Sequence, residues 1–268
     1  MTALAAVGAR LLGGVLRRAE PLAGGDLSQI LRIELAGGRT AIVKSGPAPE
    51  TEAAMLQAIA AAGVPAPRVL AANADALVIE ELPSGGSLRS AWGSLGAALA
   101  RLHETLGTRY GWPADYAFGP VAIENAFVDD WPRFWGERRL AASAPHIPGP
   151  LARRVEKLAA DLPSRLPARP EPALLHGDLW GGNVLVDGDH VSGLIDPACY
   201  FGHCEVDLAM LTLFDRPSAA FYDAYGALEP GAEERLVIYR LWPALVHLRL
   251  FGSGYRGMVE SMLTAAGV

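Results

Sequence analysis

The sequence contains the run His176-Gly177-Asp178-Leu179-Trp180-Gly181-Gly182-Asn183 and, after a short interval, Leu194-Ile195-Asp196. The interval holds two short apolar segments on either side of an Asp187-Gly188 turn. Apolar segments that flank an Asp-Gly pair predict a β-hairpin. A hairpin returns the end of its second strand to the start of its first. A carboxylate, an amide and a second carboxylate are therefore expected to lie at one site.

The spacing of these groups indicates phosphoryl transfer. Asn183 follows Asp178 by five residues, which is the Asp-to-Asn spacing of a kinase catalytic loop. Phosphoryl transfer asks a protein mainly for positioning and charge neutralisation. We expect Asp178 to orient an acceptor hydroxyl and take its proton, and Asn183 and Asp196 to bind the Mg²⁺ that screens the ATP phosphates. Each residue alone could serve only a local turn, but the ordered set favours a phosphotransferase site.

A second set of residues lies near the start of the chain. Gly24, Gly25 and Ser28 belong to a glycine-containing turn that leads into an alternating strand over 29–35, and a two-glycine turn precedes a return strand that ends at Lys44. Glycine turns let backbone N–H groups approach phosphates, and such a lysine can reach the α- and β-phosphates. The pattern alone is common on protein surfaces. Together with the downstream run, it predicts that these four residues bind ATP.

A helix is predicted over about residues 50–60, where apolar residues recur at helical spacing. Glu50 and Glu52 fall in its first turn, where the helix dipole favours acids. We expect Glu52 to pair with Lys44 and hold it toward the ATP phosphates. The alternative is that both acids only stabilise the start of the helix.

The composition changes after Pro83-Ser84-Gly85-Gly86, from short strands to long helical segments. Strands are predicted at 68–70 and 76–82 before this point. The expected fold is therefore α+β with two lobes: residues 1–82 form a small antiparallel β-sheet with one helix, and residues 83–268 form a larger, mainly helical lobe.

The junction between the lobes is expected to hold the adenine of ATP. The backbone around Glu80 to Leu82 would hydrogen-bond the base in the cleft. After the junction, Ser87 is expected to cap a helix that runs to about Leu106. His103 on that helix is expected to pack or cap rather than to act in catalysis.

Composition narrows the class of protein. The chain has 268 residues, a net charge of −6 and a pI near 5.5, so a nucleic-acid-binding surface is not expected. An anionic nucleotide would be held by local positive groups and metal ions. Cys199 and Cys204 are the two cysteines, and they are expected to be free thiols in a reducing cytoplasm. Neither a secretory signal nor a membrane-spanning helix is predicted, so the expected location is cytoplasmic.

Several further segments complete a recognisable pattern together with the run that contains Asp178. They are 24–29, 131–135, 137–140, 176–183, 194–198, 200–203, 205–210, 221–225 and 247–252. With these segments the chain resembles the fructosamine kinase (ketosamine 3-kinase) family over nearly its whole length. That family is a branch of the protein-kinase-like fold, which also includes aminoglycoside phosphotransferases and choline kinases. The tryptophan at 180 and the Asp-Pro-Ala at 196–198 distinguish it from these relatives.

The resemblance implies an ATP-dependent kinase that phosphorylates the 3-hydroxyl of a ketosamine, the adduct formed when a sugar condenses with an amine. Phosphorylation makes the adduct labile, so the implied activity repairs glycated amines. By motif position, Asp178 is the catalytic base, Asn183 and Asp196 are the Mg²⁺ ligands, and Lys44 binds phosphate.

The resemblance also implies residues that contact the acceptor. Trp180 would lie against the sugar, since an indole offers an apolar face and one N–H donor. His247 would lie on the substrate side, although a histidine packed in the core of an apolar helix is the alternative. Glu205 and Asp207 are expected to brace the Asp178 loop rather than touch substrate. Cys204 departs from the family, in which this position is often basic.

The interval between Asp196 and the helix predicted from Glu205 is too short for the activation segment of a protein kinase. A small-molecule ketosamine or an exposed glycated lysine is therefore the expected acceptor, with no nucleic-acid or membrane partner. The alternative is another small-molecule kinase of the aminoglycoside or choline type. A nucleotide-binding pseudoenzyme is disfavoured, because the polar residues that a kinase needs are all present. They are Lys44, Asp178, Asn183 and Asp196. The oligomeric state, a monomer included, is left open.

Overall fold

The computed structural model describes residues 3–22 and 28–268. Its first part is a five-stranded antiparallel sheet of order β1-β2-β3-β5-β4, accompanied by two helices. The elements are α1 (Ala3–Leu11), β1 (Leu16–Pro21), β2 (Ile30–Leu35), β3 (Thr40–Lys44), α2 (Pro49–Ala61), β4 (Val69–Ala72) and β5 (Leu77–Ile79).

Strands β2 and β3 form the hairpin that the alternation of apolar residues predicts. Leu31, Ile33 and Leu35 are buried on one face of β2. Gly37 and Gly38 make the turn with φ of +98° and +83°, a backbone region that glycine enters without strain. Lys44 is the last residue of β3, which is the central strand of the sheet.

A second helix precedes the sheet, whereas the sequence predicts only one helix in this part of the chain. Its buried face carries Leu4, Ala5, Gly8 and Ala9. A Cβ on Gly8 would lie 2.4 Å from a methyl carbon of Val43 in β3. Small residues thus let α1 approach the sheet closely.

The remainder of the chain is mainly helical, with three two-stranded sheets that pair β6 with β7, β8 with β11 and β9 with β10. The predicted hairpin after the Asp178 loop is present as β9 and β10. The elements are α3 (Trp92–His103), β6 (Tyr116–Phe118), β7 (Val121–Ile123), α4 (Trp131–Trp135), α5 (Gly149–Asp161), β8 (Ala173–Leu175), β9 (Val184–Asp187), β10 (His190–Leu194), β11 (Tyr200–Gly202), α6 (Glu205–Phe214), α7 (Ala219–Tyr225), α8 (Ala232–Phe251) and α9 (Arg256–Ala265).

The predicted bounds of the helix after the junction are wrong at both ends. The Ser87 Oγ accepts a hydrogen bond from the Arg89 N–H at 3.3 Å and caps a separate 3-10 turn. Ala91 lies outside the α-helical region at φ −111° and ψ 13°, so α3 begins only after it. At the other end, Leu106 forms an isolated β-bridge with Ala173, and α3 ends before it. Within residues 3–22 and 28–268, no helix is both long and apolar enough to cross a bilayer.

The largest hydrophobic core lies under α8 and is rich in aromatic rings. The Trp131 indole N–H donates to the Tyr239 hydroxyl at 2.8 Å, and both rings are fully buried. The guanidinium of Arg139 is fully buried against the Tyr200 ring, 4.3 Å from its centroid, and against the Trp242 ring at 5.1 Å. Burial lowers the pKa of Arg139. These contacts fix α8, which forms one wall of the cavity described below.

Helices α3 and α7 pack closely because two glycines of α3 face α7. A Cβ on Gly96 would lie 2.3 Å from the Phe221 carbonyl oxygen and 3.2 Å from the Ala224 Cβ. A Cβ on Gly93 would lie 3.5 Å from the Ala220 carbonyl oxygen, which is ordinary contact. Gly93 and Gly96 both lie on α3 and face α7, but only Gly93 leaves room for a Cβ atom.

Gly96→Ala is expected to lower the free energy of unfolding by roughly 1–3 kcal/mol, because the obstructing atom is backbone and α7 must move. Gly93→Ala, the matched control, is expected to be neutral or stabilising by up to about 1 kcal/mol, since alanine favours the helix. Urea unfolding of the two variants measures the difference. Equal effects would contradict the close packing at Gly96.

Candidate active site

The Asp178 loop comprises residues 176–183, and its first residues are held in place by one buried carboxylate. Asp207 in the first turn of α6 is fully buried and accepts hydrogen bonds from the backbone N–H groups of His176 at 2.7 Å and Gly177 at 2.9 Å. The ring of His103 in α3 lies 3.2 Å from the same carboxylate. Asp207 therefore braces the loop, as predicted, and His103 packs beneath it.

Glu205 does not share this role, contrary to the prediction. Its carboxylate accepts hydrogen bonds of 2.5 and 2.8 Å from the Arg235 guanidinium of α8. His203 and Glu229 lie near enough to form a three-ligand cluster with Glu205. The guanidinium already neutralises that carboxylate, so a cation would have to compete with Arg235. Glu205 thus ties α6 to α8, and of these two acids only Asp207 binds the loop backbone.

Gly177 and the side chain of His176 make the loop rigid. Gly177 has φ +80°, and a Cβ there would lie 2.1 Å from the Ala198 carbonyl oxygen, so only glycine fits. His176 accepts a hydrogen bond from the Asp178 N–H through Nδ1 at 3.3 Å and donates through Nε2 to the Ile195 carbonyl at 3.0 Å. This assignment places the proton on Nε2 of a neutral ring. Burial lowers the pKa of His176 and so favours the neutral form.

Asn183 lies beside Asp178, as the spacing predicts. Its Nδ2 donates to the Asp178 carbonyl at 2.8 Å and to the Asp178 carboxylate at 3.2 Å, which leaves the amide oxygen for another ligand. The Ile195 N–H donates to the Asn183 carbonyl at 3.0 Å, so the end of the hairpin returns to the loop. Among the described residues Asp196 is the only non-glycine with positive φ, at 55°, a conformation that is common where a side chain must point into a functional site.

The predicted pair of Lys44 and Glu52 is present, and Asp196 joins it. The Lys44 ammonium is buried and lies 2.7 Å from a Glu52 oxygen and 2.5 Å from an Asp196 oxygen. The second Glu52 oxygen accepts a hydrogen bond from the Tyr116 hydroxyl at 3.1 Å. Burial acts to lower the Lys44 pKa, but the two carboxylates outweigh it and the pKa is raised. Glu50, in the same turn of α2, is exposed.

The Asp178 carboxyl has an unusual protonation equilibrium. Burial raises its pKa to about 7, and the charges of Asp196 and Asp207 act in the same direction, whereas the Asn183 hydrogen bond lowers it. A carboxyl whose pKa lies near neutral pH is suited to accept a proton during a reaction. A cation bound beside it would lower this pKa.

A cavity of about 610 Å³ opens at the loop. Asp178, Asn183, Asp196 and Ser28 are among the residues that line it. The indole of Trp180 lines the cavity and is 41% exposed.

His247 lines the cavity rather than the core, which contradicts the alternative of a packed core histidine. Its Nδ1 donates to the Pro243 carbonyl at 2.8 Å, which leaves Nε2 as an acceptor.

Glu80 and Leu82, which are predicted to lie around the adenine, do not line this cavity. Glu80 donates its backbone N–H to the Arg68 carbonyl at 3.0 Å, so that N–H is not free for adenine. Leu82 packs against β10, where a Cβ on Gly193 would lie 2.3 Å from it. The adenine contact around these residues stays a prediction. Gly24 and Gly25 lie outside the described residues.

Two supporting residues have no clear signal in the sequence. Asp215, at the end of α6, accepts a hydrogen bond from the Gly181 N–H at 2.7 Å and so holds the half of the loop that contains Trp180. Tyr116 reaches Glu52 from β6. Both contacts join residues far apart in the chain, and neither residue belongs to a short motif. Only the folded structure identifies them.

The arrangement is that of a phosphotransferase, and the comparison with known families agrees. The fructosamine kinase family model matches residues 12–266. The chain belongs to the fructosamine kinase family. The predicted two-lobed, protein-kinase-like α+β fold is confirmed with it.

Three similar proteins illustrate the family. The probable ketoamine kinase of Synechocystis sp. is 36% identical over 234 residues, which cover 80% of this chain and 77% of that protein. The chloroplastic protein-ribulosamine 3-kinase of Arabidopsis thaliana is 34% identical over 198 residues, which cover 70% of this chain and 60% of that protein. The crystal structure of a candidate fructosamine-3-kinase from Thermobifida fusca superposes with a TM-score of 0.89 at 30% identity and covers 98% of each chain.

The segment after Asp196 fits a fructosamine kinase that acts without an activation segment. Only eight residues separate Asp196 from Glu205 at the start of α6, and three of them form β11, which pairs with β8. Cys199 and Cys204 in this segment are both free thiols, as predicted. Burial raises the pKa of Cys204 to about 11. No contact of Cys204 explains its departure from the often basic residue that the resemblance implies at this position.

Asp207→Asn is expected to lower the free energy of unfolding by about 1–3 kcal/mol, because an asparagine can accept only one of the two backbone hydrogen bonds and leaves a buried N–H unpaired. Turnover is expected to fall as well, since the Asp178 loop loses its support. Asp223→Asn, an exposed change in α7, is the control and should alter neither quantity. Equal free energies of unfolding for Asp207→Asn and Asp223→Asn in urea would show that Asp207 does not hold the loop.

Proposed function

We propose that this fructosamine kinase transfers the γ-phosphoryl group of ATP to the 3-hydroxyl of a ketosamine, with Mg²⁺ as the metal. Membership of the family makes the protein an ATP-dependent kinase. The observation that carries the proposal is that Asp178, Asn183 and Asp196 line the same cavity as Trp180. The names of the relatives, ketoamine kinase and protein-ribulosamine 3-kinase, support a ketosamine as acceptor. The implied physiological role is the repair of glycated amines.

The donor atoms at the loop fit Mg²⁺. This ion prefers oxygen ligands and is commonly held by one or two carboxylates together with phosphates. Asn183 offers its amide oxygen, since both of its side-chain hydrogen bonds use Nδ2. Asp196 offers the carboxylate oxygen that does not contact Lys44. When bound, the ion would neutralise the negative charge of the ATP phosphates.

The protein's own groups divide the remaining work. The Asp178 carboxylate would accept the proton of the acceptor hydroxyl, and the Asn183 amide orients that carboxylate through its hydrogen bond. The Lys44 ammonium would contact the phosphates while Glu52 keeps it in position. The nucleotide would lie between residues 1–82 and residues 83–268, which we propose as the two lobes.

The charge of the cavity favours a ketosamine over an aminoglycoside, the main alternative. Asp178 and Asp196 are the only carboxylates among the described residues that line it, and both have proposed roles in catalysis. A polycationic aminoglycoside would need further acidic groups for its several ammonium ions. A ketosamine carries a single ammonium and several hydroxyls. We also propose a cytoplasmic location, on the basis of the free thiols Cys199 and Cys204.

Asp178→Asn is expected to lower turnover by roughly 10²–10⁴, the usual contribution of a general base, while the affinity for ATP stays nearly unchanged. Steady-state kinetics with a ribulosamine and titration with an ATP analogue measure the two effects. Asp187→Asn in the exposed β9–β10 turn is the control. Turnover equal to that of the control would remove Asp178 from the mechanism.

Glu52→Gln is expected to raise the KM for ATP about tenfold or more, because a buried ammonium that loses a carboxylate partner is no longer held toward the phosphates. Glu50→Gln is the matched control, since Glu50 is exposed in the same turn of α2. It should leave the KM for ATP unchanged. Equal changes in the two variants would mean that Glu52 only stabilises the helix.

The proposed function is tested by ATP consumption with fructose and ribulose adducts of simple amines, using an aminoglycoside and choline as competing acceptors. NMR of the product identifies the phosphorylated position. We expect phosphorylation of the ketosamines at the 3-hydroxyl. Activity confined to the aminoglycoside or choline would contradict the proposal and favour the alternative.

A further inference from the structure

The cavity that contains Asp178 has two chemically different ends. Its polar end is formed by the Asp178 loop and Asp196, and its other end is formed by apolar side chains from α6, α8 and the turn after α8. The lining of the apolar end includes Met210, Phe214, Trp242, His247, Phe251 and Tyr255. The proposed function assigns work only to the polar end and to Trp180.

Four rings at this end form an aromatic cluster, which consists of Phe214, His247, Phe251 and Tyr255. The ring centroids of Phe214 and His247 lie 5.1 Å apart, and His247 lies 5.5 Å from Phe251 and 5.0 Å from Tyr255. The Trp180 ring lies 6.4 Å from Phe214 in an edge-to-face arrangement. The aromatic surface therefore continues without a break from the proposed sugar platform to the turn after α8.

The cluster is open to the cavity rather than packed in the core. Phe214 is 38% exposed and Phe251 is 47% exposed, next to a Trp180 that is itself 41% exposed. Contiguous exposed apolar surface in a concave site is typical of a surface that binds a ligand.

The apolar end also lacks fixed charge. Within the described lining of the cavity, the carboxylates are Asp178 and Asp196, and both lie at the polar end. An anionic group at the apolar end would lose part of its hydration without gaining a partner, because no Lys or Arg is among the described residues that line the cavity, and this is costly. The occupant of this end is therefore expected to be apolar.

The chemistry of a ketosamine supplies such a group. With the 3-hydroxyl at Asp178 and the sugar against Trp180, the nitrogen on carbon 1 and its substituent extend away from the phosphates. Trp180 contacts Phe214, and Phe214 contacts His247, so a substituent that extends from the sugar along these rings reaches the aromatic cluster. The ammonium of the adduct would be stabilised by aromatic faces, and its substituent would lie among the rings. The cavity volume of about 610 Å³ falls in the range of sites that enclose small molecules.

We propose that the aromatic cluster is a binding site for the amine part of the ketosamine, and that it takes aromatic amines in preference to small or charged ones. The inference rests on the proposed function, because it assumes that the acceptor is a ketosamine. It identifies the acceptor as a low-molecular-mass adduct of an aromatic amine rather than a glycated lysine of a protein.

The test compares three ribulose adducts with the wild-type enzyme: those of benzylamine, methylamine and 6-aminohexanoate, which carries a terminal carboxylate. The benzylamine adduct is expected to have a kcat/KM about tenfold or more above those of the other two adducts. The difference is expected to come from a lower KM, because the benzyl group would fill an apolar pocket. Equal kcat/KM values for benzylamine and methylamine adducts would overturn the inference and leave the proposed function intact. If no ketosamine were phosphorylated, both would fail.

Variants locate the preference. Phe251→Ala is expected to reduce the ratio of kcat/KM for the benzylamine and methylamine adducts to less than a third of the wild-type ratio. Phe251→Leu keeps apolar volume without the ring, so it should retain a larger part of this kcat/KM ratio than Phe251→Ala does. Tyr222→Ala removes a similarly exposed ring, 37% exposed on α7, outside the cavity lining, and should leave the ratio unchanged. An unchanged ratio in Phe251→Ala would overturn the assignment to the cluster.

A peptide with one ribulosyl-lysine completes the test. Under the inference, its kcat/KM is below that of the benzylamine adduct, because the lysine carries polar peptide groups instead of a ring. A glycated peptide that is phosphorylated faster than the benzylamine adduct would show that the cavity admits protein-bound adducts, and it would contradict the preference for aromatic amines.

Discussion

The buried Lys44 ammonium joins the two parts of the active site. It lies between a carboxylate of α2 and a carboxylate that follows β10, at 2.7 Å from Glu52 and 2.5 Å from Asp196. Buried charges stay stable only when paired, and loss of one partner is strongly destabilising. The sheet that carries Lys44 and the hairpin that carries Asp196 must therefore meet with little freedom. This constraint fixes the relative positions of Lys44 and Asp196, which are proposed to bind the nucleotide and its metal.

The Asp178 loop is fixed independently of that pair, by backbone hydrogen bonds to Asp207 and by the ring of His176. Asp178 is thus rigid relative to Asp196 before any ligand binds, which is the preorganisation that efficient catalysis requires. The aromatic end of the cavity has the opposite character, since Phe214 and Phe251 are partly exposed and carry no polar group. In the proposed reaction the rigid polar groups act on every substrate, and the exposed rings distinguish one amine from another.

Local patterns in the sequence predict the elements that determine the chemistry. Alternation and turn residues give the hairpins, and the order of a strand and a helix gives the pair of Lys44 and Glu52. What the sequence does not reveal depends on long-range packing. Tyr116 and Asp215 contact the site from distant segments, and the exposure of Phe251 at the cavity is indistinguishable in sequence from an apolar residue that faces the core. The missed helix α1 has the same cause, because its small residues are informative only beside the sheet.

We propose that Asp178, the metal ligands Asn183 and Asp196, and Trp180 act together on one ketosamine hydroxyl. A crystal structure with Mg²⁺, a non-hydrolysable ATP analogue and a ribulosamine would show whether they do. We expect a metal ion on the Asn183 amide oxygen and the Asp196 carboxylate, with the sugar against Trp180 and its 3-hydroxyl hydrogen-bonded to Asp178. A metal ion held by other residues, or a sugar whose 3-hydroxyl is out of reach of Asp178, would contradict it.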